Sequence, residues 1–316
     1  MRYIQELHEG ETIRAIYLCK SKRSAETRNG KPYDNLILQD KTGTLDGKIW
    51  DPNSNGIADY DEKDFVEVVG EVTTYNNNLQ LNIKQLRKAH EDEYILADYM
   101  PTSDRDVEEM YKDLLNFVDM IRNPYLKQSV EYYFVKDEEF IRKFKNHSAA
   151  KSVHHGFLSG LLMHTLNMLR LADFLSAQYA DTVNRSLLLT GTLLHDFAKE
   201  QEFTFSELGL VTDYSMKGQL LGHLVMGAQE VAAIAAELDL PEEKATLLEH
   251  LILSHHGQPE FGAAVLPQCA EAELLSLVDQ IDSRMEIYRE VLAPLKAGEF
   301  SQRVFALDNR RIYKHQ

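Results

Sequence analysis

Between Thr12 and about Arg87, apolar and polar residues alternate over short stretches, the period of strands with one buried and one wet face. The stretches IRAIYLCKSKR, NGKPYDNLILQD, KTGTLDGKIWD, DFVEVVGEVTTYN and NLQLNIKQLRK are punctuated by turn residues at Asn29-Gly30, Thr42-Gly43 and Asn76 to Asn78. So many strands in so short a span predict a small closed or partly open β-barrel, since closure leaves no edge unpaired. After residue 90 the period lengthens. TSDRDVEEMYKDLLNFVDMI opens on a Ser/Asp cap region and continues with apolar residues at helical spacing. Helices are predicted over 158–178, 184–199, 217–238, 241–256 and 270–293, with Pro241 where a first turn tolerates it. The fold class expected is multidomain α and β: a small N-terminal barrel over 1–90, a helical connector over 91–140 and an all-α domain over 141–316. The tail RRIYKHQ reads as a solvated end.

Composition changes this picture little. With 316 residues, 44% of them hydrophobic, the chain can fill two cores. No run approaches the roughly 18 apolar residues of a membrane span, and MRYIQELHEGE lacks the regions of a secretory signal, so the cytoplasm is the expected compartment. Cys19 and Cys269 are far apart and read as packing residues, not as a disulfide or thiolate site. Charge matters more. The net charge of -16 argues against a polyanionic partner. Residues 1–90, however, carry 13 Lys+Arg against 14 Asp+Glu, so the acidity lies in the helical part, where bound divalent cations would reverse the local field.

Candidate chemistry concentrates on the predicted helices. LLMHTLNML, LLLTGTLLHDFAK and LLEHLILSHHG each place histidine in apolar surroundings. A buried polar group without compensation costs about 1–3 kcal/mol, so several imidazoles and an aspartate facing one interior need a partner. His164, His195, Asp196 and Asp279 are the expected ligands of a first divalent ion. His223 and His255 would complete a second, with Asp196 bridging and His256 as either ligand or substrate contact. Such a pair activates a water and stabilises the charge of a breaking phosphodiester. Imidazole and carboxylate donors suit Mn, Fe, Co or Zn. Lys199 lies one turn beyond Asp196, placed to neutralise a phosphate oxygen or leaving group.

The order His164, His195-Asp196 with Lys199, His223, His255-His256, Asp279 resembles the HD superfamily of metal-dependent phosphohydrolases. AAKSVHHGFLSGLLMHT, ILSHHGQPEFG and the N-terminal NGKPYDNLILQDKTGTLDGKIWD are similar, more narrowly, to the YhaM-type 3′-to-5′ exoribonucleases, which join an OB-fold to an HD domain. Ser159 and Met163 depart from that pattern, standing where glycine and glutamate are common. The resemblance implies removal of nucleotides from the 3′ end of single-stranded RNA, and of single-stranded DNA, with two divalent ions and manganese as the working metal. His154 and His155 are candidates to hold the scissile phosphate. In an OB barrel a basic groove and aromatic platforms bind a strand, and Lys20, Lys22, Arg23, Arg28 and Lys31, in the loop between the first strands, with Tyr33, Trp50 and Tyr75, are the candidates. Other readings are an HD-type phosphodiesterase of nucleotides or cyclic dinucleotides, a di-iron oxygen-activating enzyme, and a non-enzymatic single-strand-binding protein.

Overall fold

The computed structural model describes residues 2–27, 30–75, 78–95, 98–99, 105–148, 159–205 and 211–316. The chain divides into two compact units, Met1–Thr102 and Ser103–Gln316.

The first unit is a closed barrel of β1 (Thr12–Glu26), β2 (Pro32–Asp40), β3 (Gly43–Ile49), β4 (Phe65–Tyr75) and β5 (Asn78–Lys88), in the order β1-β2-β3-β5-β4. Neighbours are antiparallel except β3 and β5, which run parallel from Asp46↔Gln80 to Lys48↔Asn82. Alternation puts Leu36, Leu38, Val66, Val68, Val72 and Leu81 inside, all fully buried, and Cys19 joins them. That closure and strand order are those of the expected OB-fold. A bulge between Cys19 and Ser21 shifts the register of β1 by one residue, so the residues beyond it change faces.

The second unit is helical: α1 (Val107–Met120), α2 (Pro124–Glu131), α3 (Glu138–Asn146), α4 (Gly160–Gln178), α5 (Arg185–Leu194), α6 (Lys199–Glu202), α7 (Met216–Glu237), α8 (Glu242–Ser254) and α9 (Ala270–Leu292). Two two-stranded sheets interrupt it, β6 (Phe203–Phe205) with β7 (Val211–Tyr214), and β8 (Phe300–Val304) with β9 (Arg310–Tyr313). Periodicity over so few residues is too weak to announce either, and the expectation of helices alone is corrected to that extent. Residues 91–140 are shared between the units, with Tyr99 buried in the first and Met110, Leu114 and Phe134 in the core of the second. The tail is not a loose end. Ile312 is buried, and Lys314 Nζ donates to Leu292 O and Leu295 O at 2.9 and 2.7 Å, closing the carbonyls at the end of α9.

α4 positions the chemistry. It is buried along most of its length against α1, α3, α5 and α9, so polar side chains on it meet protein instead of water. Ser159, just before α4, has φ 66, a left-handed conformation that glycine adopts freely; this is a physical reason for the glycine common there.

Candidate metal centre

Two helix ends, one kink and two helix interiors converge. His164 projects from α4. His195 ends α5, and Asp196 follows it before α6 begins at Lys199. α7 is kinked at Gly222, whose φ of 72 breaks the helix, and His223 is the next residue. His255 ends α8, and Gly257, at φ 77, turns the chain immediately after His256. Asp279 and Asp282 share one face of α9. Neighbours inside a helix point about 100° apart, but His255 and His256 both lie past the last helical residue of α8. Their ring centroids are 4.4 Å apart.

Each of five imidazoles gives its Nδ1 to an oxygen that can only accept. His164 Nδ1 is 2.7 Å from Asp282 Oδ2, His195 Nδ1 2.8 Å from Thr192 O, and His255 Nδ1 2.7 Å from Ile252 O. His223 Nδ1 is 3.1 Å from both oxygens of Glu202, and His256 Nδ1 is 2.8 Å from Phe261 O. The Nδ1 atoms therefore carry hydrogen and the Nε2 atoms hold the ligating lone pair, the arrangement of metal-binding histidines oriented from behind.

Four of those Nε2 atoms are directed at carboxylates. His195 Nε2 is 3.3 Å and His164 Nε2 3.9 Å from Asp196 Oδ2, and His164 Nε2 is 3.3 Å from Asp279 Oδ1. On the other side His223 Nε2 and His255 Nε2 are 3.2 and 3.6 Å from Asp196 Oδ1. The two oxygens of Asp196 thus face two groups of donors. Ligand atoms of His164, His195 and Asp196 lie within 4.8 Å of one another, as do those of His223, His255 and His256. Among the described residues, Asp196 Oδ1, His223 Nε2 and His255 Nε2 are buried side-chain atoms with no hydrogen-bond partner. Acceptors facing acceptors in a dry interior need a cation between them. The donor set therefore fits divalent metal.

Protonation agrees with that fit. Burial lowers the pKa of His223, of His255 and, to about 4, of His256, leaving these rings neutral at pH 7. For His164 burial also lowers it, but the hydrogen bonds and charges of Asp279 and Asp282 prevail and raise it to about 9, so a metal ion held there would have to displace a proton. Burial opposes ionisation of Asp196, yet the Lys199 charge and the histidine contacts hold its carboxyl well below the usual range. Asp279 is likewise held low, against burial, by His164.

Lys199 is not the surface residue its position near a helix end would allow. Its Nζ donates to Asp196 Oδ2 at 2.6 Å, so its charge is paired with the central carboxylate. Two carboxylates escaped the sequence reading, Asp282 behind His164 and Glu202 behind His223. Asp282 stands three residues from Asp279, a spacing that could have found it. His154, His155 and Arg28 lie outside the described residues.

In the barrel, Lys20, Lys22 and Arg23 belong to β1 itself and not to a loop. The bulge separates their faces. Arg23 pairs with Asn35, on the outer face that carries Tyr33, while Lys22 pairs with Leu36 and donates to Tyr60 O at 2.8 Å. Lys31, exposed, precedes β2. Trp50 does not close the core. It is 53% exposed, stacks on Tyr33 with centroids 5.5 Å apart, and donates Nε1 to Asn82 Oδ1 at 3.2 Å. Lys48 Nζ lies 5.4 Å over the Tyr33 ring. Tyr75, 66% exposed, stands at the end of β4.

The HD domain family matches residues 161–284, which contain all the proposed ligands. The 3′-5′ exoribonuclease YhaM of Geobacillus sp. (strain WCH70) is 36% identical over 307 residues, 96% of this chain and 92% of that protein. That of Listeria welshimeri is 37% identical over 305 residues, 96% and 95% of the two chains. That of Bacillus subtilis (strain 168) is 36% identical over 310 residues, 98% and 96%. Among solved structures, the second OB-fold domain of replication protein A from Methanococcus maripaludis aligns with 28% of this chain and 95% of that one, at 22% identity and a TM-score of 0.22, which adds nothing to the strand order. Identity that runs through both units, in a chain whose Asp196 and the histidines around it fall inside the HD match, makes this protein a member of the YhaM family of 3′-5′ exoribonucleases.

Proposed function

We propose that the chain is a metal-dependent exoribonuclease that removes nucleotides from the 3′ end of single-stranded RNA, and of single-stranded DNA, with two divalent ions in its helical unit. The observation that carries the reading is the convergence of four Nδ1-anchored imidazoles on Asp196, whose two oxygens face different histidine groups, with His256 beside the second group. His164, His195, Asp196 and Asp279 would hold one ion. His223, His255 and His256 would hold the other, with Asp196 shared. Ions bound there supply a water made nucleophilic at neutral pH and neutralise charge on the phosphodiester as the bond to the leaving oxygen breaks. Manganese suits the nitrogen and carboxylate donors, and Fe, Co and Zn are compatible with them.

The chain's own groups prepare this chemistry. Lys199, raised by Asp196 against the effect of burial, stays a cation and keeps the central carboxylate ionised and fixed; it is no general base. Asp282 and Glu202 hold two rings in the tautomer that ligates. On the barrel, the Tyr33–Trp50 pair offers stacking surface to bases, and Arg23 with Lys48 supplies charge for phosphates on the same face. RNA as substrate and the 3′ end as starting point are supported by the names of the relatives. The cytoplasm is the compartment of such an enzyme, and no helix among the described residues is long and apolar enough to cross a membrane.

Chelator-stripped protein should be inactive on single-stranded RNA, and manganese should restore release of nucleotides equally in air and under anaerobic conditions. Turnover by protein shown to be metal-free, or turnover that requires oxygen, would contradict the assignment.

A further inference from the structure

The kink in α7 leaves a backbone amide and a ring nitrogen of the same residue in need of one acceptor. Gly222, at φ 72 and ψ 160, breaks the helix, so the His223 N–H begins a new helical segment with no carbonyl of the previous turn to bond. Glu202 takes both groups. Its Oε1 accepts from His223 N at 3.1 Å, and its carboxylate accepts from His223 Nδ1 at 3.1 Å to each oxygen. The carboxylate is itself only 9% exposed, and the contact with His223 holds its pKa down against the effect of burial. Two further bonds tie Glu202 and its neighbour Gln201 to the start of α7: Ser215 N donates to Glu202 O at 2.8 Å, and Ser215 Oγ donates to Gln201 O at 2.8 Å.

We infer that Glu202 is the positioning residue for one half of the metal centre: by capping the kink and gripping the ring of His223 together, it aims Nε2 at Asp196 Oδ1, 3.2 Å away. Either bond alone would leave freedom. The backbone bond fixes where the residue starts, the ring bond fixes χ angles and tautomer, and one carboxylate making both locks His223 as a unit. The histidines of the other group owe nothing to Glu202, since His164 is held by Asp282 and His195 by Thr192. Loss of Glu202 should therefore divide the centre. This rests on the two-ion reading above.

The test is calorimetric titration of manganese into stripped full-length protein, with bound metal counted by elemental analysis, for the wild type, Glu202→Ala and Glu202→Gln. Circular dichroism and the unfolding midpoint serve as the check on folding. The wild type should take two ions. Glu202→Ala should retain one with wild-type affinity and bind the other about 10–100-fold more weakly, the usual effect of removing the group behind a ligating histidine. Glu202→Gln, which keeps an acceptor but loses the charge, should fall between. Two ions bound by Glu202→Ala with unchanged affinities overturn the inference. So does equal weakening of both ions, or a lowered unfolding midpoint in both variants with wild-type metal binding, either of which marks Glu202 as merely structural. A wild type that takes a single ion overturns the two-ion reading and this inference with it, and that result is visible before any substitution is made.

Discussion

Asp196 bears the electrostatic load of the centre. Its Oδ2 serves His195 and Lys199, its Oδ1 serves His223 and His255, and it is buried. Replacing it with alanine removes the group shared by both halves and leaves the Lys199 charge unpaired in the interior, which costs several kcal/mol. Asp196→Ala should abolish hydrolysis, lowering kcat by about 10³-fold or more as other losses of transition-state charge stabilisation do. Binding of a single strand by the barrel, read by fluorescence anisotropy, should stay close to wild type. Full activity in that variant would remove the metal mechanism. At this scale the sequence was informative for the residues that converge and poor for their supports. The histidines stand out because imidazole is rare in apolar runs. Glu202 lies in the polar string KEQE, where a carboxylate looks like any solvated charge until the chain is folded.

Elements set the site through their ends. Gly257 turns the chain after His256 at φ 77, and a Cβ there would lie 2.5 Å from Ser276 Oγ. Gly257→Ala should destabilise the protein by at least about 1 kcal/mol from backbone strain alone, and should weaken metal binding through displacement of His256. Adding Ser276→Ala should recover the part due to the clash and not the part due to φ. Thermal unfolding and manganese titration of the single and double variants would show this. A second prediction concerns His147, which caps α3 and whose ring is buried, its pKa pushed down to about 4 by burial and then by Lys143. The folded state resists the proton that the unfolded chain accepts near 6.5, so this contribution is complete above that pH and is lost as pH falls toward 4. The difference amounts to roughly 3 kcal/mol at most. His147→Gln should flatten that part of the stability profile, measured by urea unfolding at pH 7, 5.5 and 4.5; an unchanged slope would exclude it. The helix ends that carry the ligands were not legible: periodicity predicts helices over 184–199 and 241–256, whereas α5 stops at Leu194 and α8 at Ser254, so that His195 and His255 follow their helices. Nor was the face of Lys22, because a single-residue bulge in β1 reverses inside and outside and leaves no mark in the alternation.

For the whole molecule, two units divide the work: a near-neutral barrel with an exposed aromatic pair and an acidic helical unit in which cations are needed. Trp50→Ala should raise KM for a long single-stranded RNA roughly 5-fold or more, the equivalent of about 1 kcal/mol or more of stacking, with kcat little changed. A fall in kcat with KM constant would mean that Trp50 acts on chemistry and not on retention. Whether a metal-dependent enzyme shortens RNA from its 3′ end is read from the product ladder. Purified protein is incubated with manganese and a single-stranded RNA labelled at its 5′ end, with a 3′-blocked copy and an Asp196→Ala reaction alongside. Labelled products should shorten progressively from full length, with no shortening of the blocked strand and none with Asp196→Ala. Immediate release of the label as a mononucleotide, or cleavage of the blocked strand at internal sites, would contradict shortening from the 3′ end.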